Sequence, residues 1–578
     1  VISTTITLVA VFFPIVFMEG MTGRLFREFS IVISGSVIIS SFAALTFTPM
    51  LATKLLVKRE KQNWFYLKTE PFFEGMNRLY SRSLAVFLHK RWIALPFVAI
   101  TIGIIAFLWN YIPAEMAPLE DRSQISINTR GAEGVTYEYI RDYTEDINDL
   151  VDSIVPDAES VTARVSSGSG NVRITLKDMK DRDYTQMDVA EKLSAAVQKK
   201  TMARSFVQQS SSFGGRRGGM PVQYVLQATN IEKLQEVLPK FMAKVYENPV
   251  FQMADVDLKF SKPEARININ RDKASIMGVS TRNIAQTLQY GLSGQRMGYF
   301  YMNGKQYEIL GEINRQQRNT PANLKSIYIR SDKGDMVQLD NLIELTGGIA
   351  PPKLYRYNRF VSATVSAGLA EGKTIGQGLD EMDKIAKETL DDTFRTALTG
   401  DSKEYRESSS SLMFAFILAI VLIYLILAAQ FESFKDPLII MLTVPLAIAG
   451  ALVFMYFGGI TMNIFSQIGI IMLIGLVAKN GILIVEFANL KQETGEDKMT
   501  AIKDAALQRL RPILMTSAST ILGLIPLAFA SGEGCNQRIA MGTAVVGGML
   551  VSTLLTMYIV PAIYSYISTN RSNKLKQE

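Results

Sequence analysis

The stretch IGIIMLIGLVAKNGILIVEF, residues 468–487, is apolar enough to cross a bilayer, yet it carries Lys479 near its middle. A membrane span takes about 20 apolar residues. A charged amine at mid-bilayer costs several kcal/mol unless it is paired or hydrated, so it marks function by default. Snorkelling to the interface is the bland alternative. The full apolar span is roughly 463–490, so about three helical turns separate Lys479 from its end, too many for the side chain to bridge comfortably. The one acid of this run, Glu486, lies seven residues on, about 10 Å along the axis. The other spans have no central Asp or Glu, so the counter-ion of Lys479 is expected outside this sequence.

Seven further apolar runs accompany this one, at roughly 1–18, 30–56, 92–111, 411–429, 437–458, 512–530 and 539–567. The loops 57–91, 430–436, 491–511 and 568–578 share one side by alternation and hold 17 Lys and Arg. The opposite loops hold only Arg24, Arg27 and Arg538. The positive-inside rule makes the basic side cytoplasmic. The interruption 112–405 is then exported, into the periplasm if the cell is Gram-negative. It carries 38 basic and 39 acidic residues, so the overall charge of +7 belongs to the membrane flanks. A nucleic-acid footprint would cluster on a folded domain instead, and no nucleic-acid partner is expected. Cys535 and His89 are the only cysteine and histidine, which removes disulfides, histidine triads and imidazole metal sites from consideration.

At a gapless offset of 512, Pro14 and Pro49 fall on Pro526 and Pro561, and Gly20, Gly35 and Ser40 fall on Gly532, Gly547 and Ser552. The match pairs two spans with two spans. It predicts a protein of two tandem units, each with six spans and one exported insertion, of which this sequence is the C-terminal part. Tandem units are a transporter signature, because alternating access moves one repeat against another.

Periodicity in the insertion alternates between 2 and 3.6. Strands near 124–129, 160–165, 172–176 and 204–208, with helices at 137–154 and 187–200, spell βαββαβ, the split βαβ order. A Ser/Gly-rich link, 210–219, follows. A second unit begins with a strand at 222–228, a helix at 231–247 and a strand at 252–258. It resumes at 361–367, 374–389 and 393–398. The insertion between its halves has two short helices and hairpin candidates at Asn303–Gly304 and Lys333–Gly334. The glycines of the link are not followed by GK[ST], so no phosphate loop is present, and nothing resembles an enzyme. Arg216 and Arg217 within it read as a surface loop or as a site for an anionic group.

The span after Lys479 opens at Arg509-Leu-Arg-Pro512, where Pro512 suits the first turn of a helix. Arg509, Thr516 and Thr520 share one face, with Ser519 beside them. These hydroxyls either bond their own backbone and glue helices together, or form a polar ladder with Arg509 beside the lysine helix. A carboxylate facing Lys479 would exchange protons and break an ion pair on protonation. Sodium is the alternative ion.

On these residues the chain resembles the resistance–nodulation–division (RND) exporters, in their AcrB-like hydrophobe/amphiphile branch. The motifs are GLVAKNGILIVEF at 475–487, LRPILMT at 510–516, AQFES at 429–433 and PLIIMLTVPLAIAG at 437–450. The resemblance runs the whole length, with weaker similarity in the exported part. It implies a polytopic α-helical membrane protein with an α+β periplasmic porter/docking domain built on ferredoxin-like βαββαβ subdomains, a fragment of a two-repeat fold. The order would be: 1–56, the last two transmembrane helices of the first repeat; 57–91, a cytoplasmic linker helix; 92–111, a transmembrane helix; 112–220, a porter subdomain; 221–263 with 359–405, a second porter subdomain; 264–358, a docking insertion; 406–567, five transmembrane helices; and 568–578, a cytoplasmic tail.

The implied activity is proton-antiport export of hydrophobic or amphiphilic compounds across the bacterial inner membrane. The implied partners are two further copies in a homotrimer, a periplasmic membrane-fusion adaptor, an outer-membrane channel and the lipid bilayer. Lys479, Arg509 and Thr516 match the family's proton relay, and Asn480 adjoins them. The family's relay acids lie upstream of residue 1. No catalytic residue, metal or cofactor is implied beyond the proton-motive force. Phe206 and Asn128 align with cleft-lining, substrate-binding positions. One departure stands out: the Phe- and Gly-rich switch loop of multidrug members corresponds to 165–172, which is short and has no phenylalanine. The rival readings are a heavy-metal exporter of the same family, which the 26 methionines invite, and a non-transporting membrane scaffold or sensor.

Overall fold

The computed structural model of the chain describes residues 2–18, 20–55, 64–209, 220–351, 353–370 and 372–569. The 210–219 link with Arg216 and Arg217, the start of the 57–91 linker and nearly all of the 568–578 tail lie outside the described residues. The chain divides into two compact units. One comprises Val1–Arg130, Arg141–Asp257 and Arg356–Glu578, the other Gly131–Ile140 and Leu258–Tyr355.

The first unit opens with helices α1 (Ile2–Val16), α2 (Gly20–Leu55), α3 (Trp64–His89) and α4 (Ala94–Tyr111). The span expected at 1–18 is described as a helix of 15 residues, about 22 Å long, against roughly 30 Å of hydrocarbon. Its end tightens into turns in which Phe17 N–H meets the Pro14 carbonyl and Met18 N–H that of Ile15.

A sheet of four antiparallel strands follows: β1 (Gln124–Arg130), β2 (Ser160–Ser166), β3 (Ser169–Thr175) and β4 (Arg204–Gln209), in the order β2-β3-β1-β4. Helices α5 (Tyr137–Ile154) and α6 (Gln186–Val197) come after β1 and β3. Ile125, Ile127, Val172 and Ile174 alternate onto one face and form a core with Ile147, Val151, Val189 and Leu193. The stretch read from sequence as a short loop, 165–172, is a tight β2–β3 hairpin turn, with Gly168 at φ +80°. That backbone conformation suits glycine. A second sheet contains β5 (Val222–Ala228) and, after α7 (Ile231–Glu247), β6 (Phe251–Val256).

The second unit is small and has its own core of Ala274, Val279, Ile284, Ile329, Leu339 and Leu342. Its elements are β7 (Lys262–Ile269), α8 (Arg271–Ile276), α9 (Thr281–Leu292), β8 (Gln295–Met302), β9 (Lys305–Gly311), β10 (Tyr328–Arg330), β11 (Met336–Gln338) and β12 (Ile343–Ala350). The β8–β9 turn places Asn303 and Gly304 at φ 52° and 73°, the two left-handed residues that a type I′ hairpin requires. Residues 131–140, read from sequence as part of 112–220, group with this unit, where Arg315 donates to Glu138 at 2.6 Å. The second sheet of the first unit then closes with β13 (Tyr355–Tyr357), β14 (Phe360–Leu369), α10 (Ile375–Thr389) and β15 (Arg395–Leu398).

The chain returns to apolar helices in α11 (Gly400–Phe431), α12 (Lys435–Met441), α13 (Thr443–Phe457), α14 (Ile464–Glu493), α15 (Lys498–Ala528) and α16 (Cys535–Ile567). Among the described residues, seven helices are long and apolar enough to cross a membrane, with α12 and α13 forming one of them. Pro512 was expected in the first turn of its helix, but α15 starts at Lys498 and runs straight through it. A proline removes one ladder hydrogen bond, and packing along α14 and α16 carries the helix past that loss.

In lipid, helices associate by close packing rather than by the hydrophobic effect. Glycines supply the closeness here. A Cβ on Gly548 of α16 would lie 2.3 Å from Leu473 Cδ1 of α14 and 2.8 Å from the Ala447 carbonyl oxygen of α13. Gly548→Val is expected to overpack this three-helix junction by about 1–3 kcal/mol. The check is the thermal unfolding midpoint of the full-length protein in detergent, which should fall by several degrees; an unchanged midpoint contradicts the packing described.

Candidate functional site

Helix α14 starts where Asn463 caps it. The Asn463 side chain accepts from the N–H groups of Phe465 and Ser466, and the Ser466 hydroxyl accepts from Asn463 N–H at 2.8 Å. From there neighbouring helices cover it almost completely. Gly475 admits α1, since a Cβ there would lie 2.7 Å from Leu8 Cδ1. Helices α11, α12, α13, α15 and α16 also pack against it. The residues less than fully covered over its central turns are Met472, Leu476, Lys479, Leu483, Glu486, Phe487 and Leu490. Phe487 lies under Arg509 of α15. The other six recur at alternating steps of four and three, which makes a single stripe along the helix.

Lys479 is thus exposed on the one open face of an otherwise enclosed apolar helix. Lys491 of α14 pairs with Glu496 and Arg511 of α15 with Glu70, and among the described residues Lys479 belongs to no ion pair. Its neighbour Asn480 points the other way and is 2% exposed. Asn480 Nδ2 donates to Ser517 Oγ of α15 at 3.3 Å and lies 3.5 Å from Thr553 Oγ1 of α16. The two hydroxyls are 3.1 Å apart. Three helices are therefore joined through one buried polar cluster beside the lysine.

Arg509 is half-buried, with its guanidinium carbon 4.5 Å from the centre of the Phe487 ring. Its Nε is buried without a hydrogen-bond partner among the described residues. Thr516 Oγ1 donates to the Ile513 carbonyl at 3.1 Å, and Thr520 Oγ1 to the Thr516 carbonyl at 2.9 Å. Both threonines thus bond their own helix, one of the two arrangements open from sequence, and neither bridges to α14. The bridging hydroxyls are Ser517 and Thr553, which sequence spacing did not single out. Ser517 is one residue from Thr516 and is fully covered, whereas Ser519 is exposed. Only the rotation of α15 against α14 separates these cases.

A second buried polar group lies at the basic end of the bundle. Asp436 is fully buried and accepts from Asn489 Nδ2 at 3.2 Å and from Ser568 Oγ at 3.3 Å. Tyr564 donates to Asn489 Oδ1 at 2.5 Å and accepts from Gln492 at 2.7 Å. This network joins α12, α14 and α16.

In the first sheet, Asn128 and Phe206 are directly opposed across β1 and β4. Both are half-buried, on the face opposite the core. Asn128 accepts from Asn171 at 2.8 Å and donates to Gln208 at 3.0 Å, forming a row of amides across three strands. The pairing places Thr162, Arg173, Ser126 and Gln208 in one row of this face, then Arg164, Asn171, Asn128 and Phe206, then Ser166, Ser169, Arg130 and Arg204. These rows hold four arginines, one aromatic ring and no carboxylate. Arg130 and Arg204 pair with Asp255, while Arg164 and Arg173 are exposed and in no ion pair among the described residues.

The AcrB/AcrD/AcrF family model matches residues 1–568. An uncharacterized transporter of Haemophilus influenzae is 31% identical over 581 residues, covering 98% of this chain and 56% of that protein. The chain therefore spans about half the length of this curated relative. A lysine on the one open face of an enclosed apolar helix, the sequence motifs around it and a family match over nearly every residue lead to one conclusion: the chain belongs to the AcrB/AcrD/AcrF family, the RND transporters.

Proposed function

We propose that this chain supplies the lysine-bearing half of an inner-membrane secondary transporter that exports hydrophobic or amphiphilic compounds by proton antiport. The observation that carries the reading is Lys479 on the single uncovered stripe of α14. An amine held at that depth calls for a partner. A carboxylate from an adjacent span outside this chain would meet it, and protonation of that carboxylate would release the pair. Asn480, clamped by Ser517 and Thr553, would then hold the helix rotation that presents Lys479. Arg509 and Thr516 would form the polar route towards the basic side. Energy would come from the proton gradient without a bound cofactor, and no enzymatic step is assigned.

In this reading both sheets of the first unit are ferredoxin-like porter subdomains on the periplasmic side. The small second unit is the docking insertion, and the basic loops and C-terminus are cytoplasmic. The working assembly is a homotrimer joined to a periplasmic adaptor and an outer-membrane channel. Asn128 and Phe206 mark the substrate-facing side of the first sheet. With two arginines in no ion pair among the described residues, three linked amides and one ring, that face suits amphiphiles that carry negative charge.

In a strain lacking the chromosomal copy, Lys479→Ala in the full-length protein is expected to lower the inhibitory concentration of exported compounds to that of the deletion strain. Trimers should persist on native gels. Wild-type protection by this variant would refute the relay. Combined Arg164→Gln and Arg173→Gln should cut protection against deoxycholate about tenfold, the worth of one charge-assisted contact of about 1.4 kcal/mol, and leave protection against ethidium intact. An equal loss for both compounds would remove the preference for anions.

A further inference from the structure

Residues 113–121 connect the end of α4 to the first sheet, and along this short run the chain touches the starts of two membrane helices. Met462 N–H donates to the Pro113 carbonyl at 2.8 Å, Glu115 N–H to the Met462 carbonyl at 3.0 Å and Ile464 N–H to the Met116 carbonyl at 3.3 Å. Ala114 and Met462 form a parallel bridge, and the Thr461 hydroxyl donates to the Glu115 carboxylate. These contacts hold the cap of α14. Three residues on, Asn536 Nδ2 donates to the Leu119 carbonyl at 2.7 Å. The Glu120 carboxylate accepts from Gln537 N–H at 2.9 Å and from Asn536 N–H at 3.4 Å. These contacts hold the start of α16.

The cap on α16 is unusual in its origin. A helix start leaves N–H groups unsatisfied, and a Ser, Thr, Asp or Asn immediately before the helix usually accepts from them. Asn463 does this for α14 and Asp497 for α15. Helix α16 follows Gly534, at φ 66°, with no side chain to offer. Its acceptor is Glu120, 1% exposed and separated from it by 416 and 417 positions in sequence.

The next residue carries the connection into the first sheet. Asp121 pairs with Arg182 at 2.5 Å, side chains 9% and 0% exposed, and accepts from Gln186 N–H at 2.8 Å. The Gln186 side chain, fully buried, accepts from the N–H groups of Arg122 and Gln124 at 2.9 and 3.1 Å. Gln186 begins α6 and Gln124 begins β1, the strand that carries Asn128.

Helices α14 and α16 run from this strap to the cluster of Asn480 and Thr553, about 25 Å away along each axis. A hydrogen-bonded helix moves as a rod over that length, so a shift at one end appears at the other. We propose that residues 113–121 are a coupling strap, with Glu120 as its positioning residue, transmitting movement of α14 and α16 at Lys479 to β1 and α6 of the first sheet. The proposal rests on the export reading for its purpose. Its physical content is a coupling between two places in one chain, which can be measured without any substrate.

The test is a double-mutant cycle read by hydrogen exchange on the full-length protein in detergent. Lys479→Ala in the wild-type background should change the exchange rates of 121–130 and 186–197 by about threefold or more, the range of coupling between distant sites. With Glu120→Ala present, that response should disappear. Glu120→Gln, which keeps one oxygen acceptor for the α16 start and guards against loss of fold, should retain part of it. A merely structural Glu120 would raise exchange by one factor in both Lys479 backgrounds, and that result overturns the strap. So does a full response surviving in both Glu120 variants, or no response to Lys479→Ala at all. Failure of the export reading shows separately, as undiminished protection by Lys479→Ala in cells.

Discussion

A charged amine cannot sit at the middle of a lipid-facing helix without a polar counterpart, and the membrane part of this chain is arranged around that constraint. Helix α14 is enclosed on every side but one, and Lys479 stands on the remaining stripe with Glu486 two turns beyond it. Enclosure of this kind needs small residues at the contacts, because apolar side chains gain little by leaving lipid for one another. Gly475 lets α1 approach α14, and Gly548 lets α16 approach α13 and α14, where a methyl group would collide. The open stripe is therefore a consequence of how tightly everything else closes.

Tight packing alone leaves a helix free to turn about its axis, since leucine and isoleucine are nearly interchangeable partners. Polar groups with few acceptable partners remove that freedom. Asn480 meets Ser517 and Thr553, and a small rotation of α14 would leave its amide unsatisfied in an apolar interior, at about 1–3 kcal/mol. Asp436, Asn489 and Tyr564 impose the same condition at the basic end. The face that carries Lys479 is set by the residues that point away from it.

Much of this was legible in the sequence because its causes are local. Long apolar runs, their basic flanks and a lysine among aliphatic residues report on single segments, as does the strand–helix alternation of the first sheet. Pro512 misled because proline at a helix start is a local preference, while neighbours can hold a membrane helix together past a lost hydrogen bond. The choice between Thr516 and Ser517 could not be made from spacing. Adjacent residues on a helix differ by about 100° in direction, and which direction meets another helix depends on that helix. The opposition of Asn128 and Phe206 follows from strand register between segments far apart in the chain.

The sequence by itself determined which segments are long and apolar, which residue carries charge among them and which family the motifs resemble, because composition and short-range periodicity decide those matters. Tertiary structure alone decided that Lys479 faces outward while Asn480 faces in. It also decided that Ser517 and Thr553 complete the polar cluster, and that Glu120 caps a helix beginning more than four hundred residues later. A carboxylate and a free N–H group have no signature of belonging together until folding brings them within 3 Å.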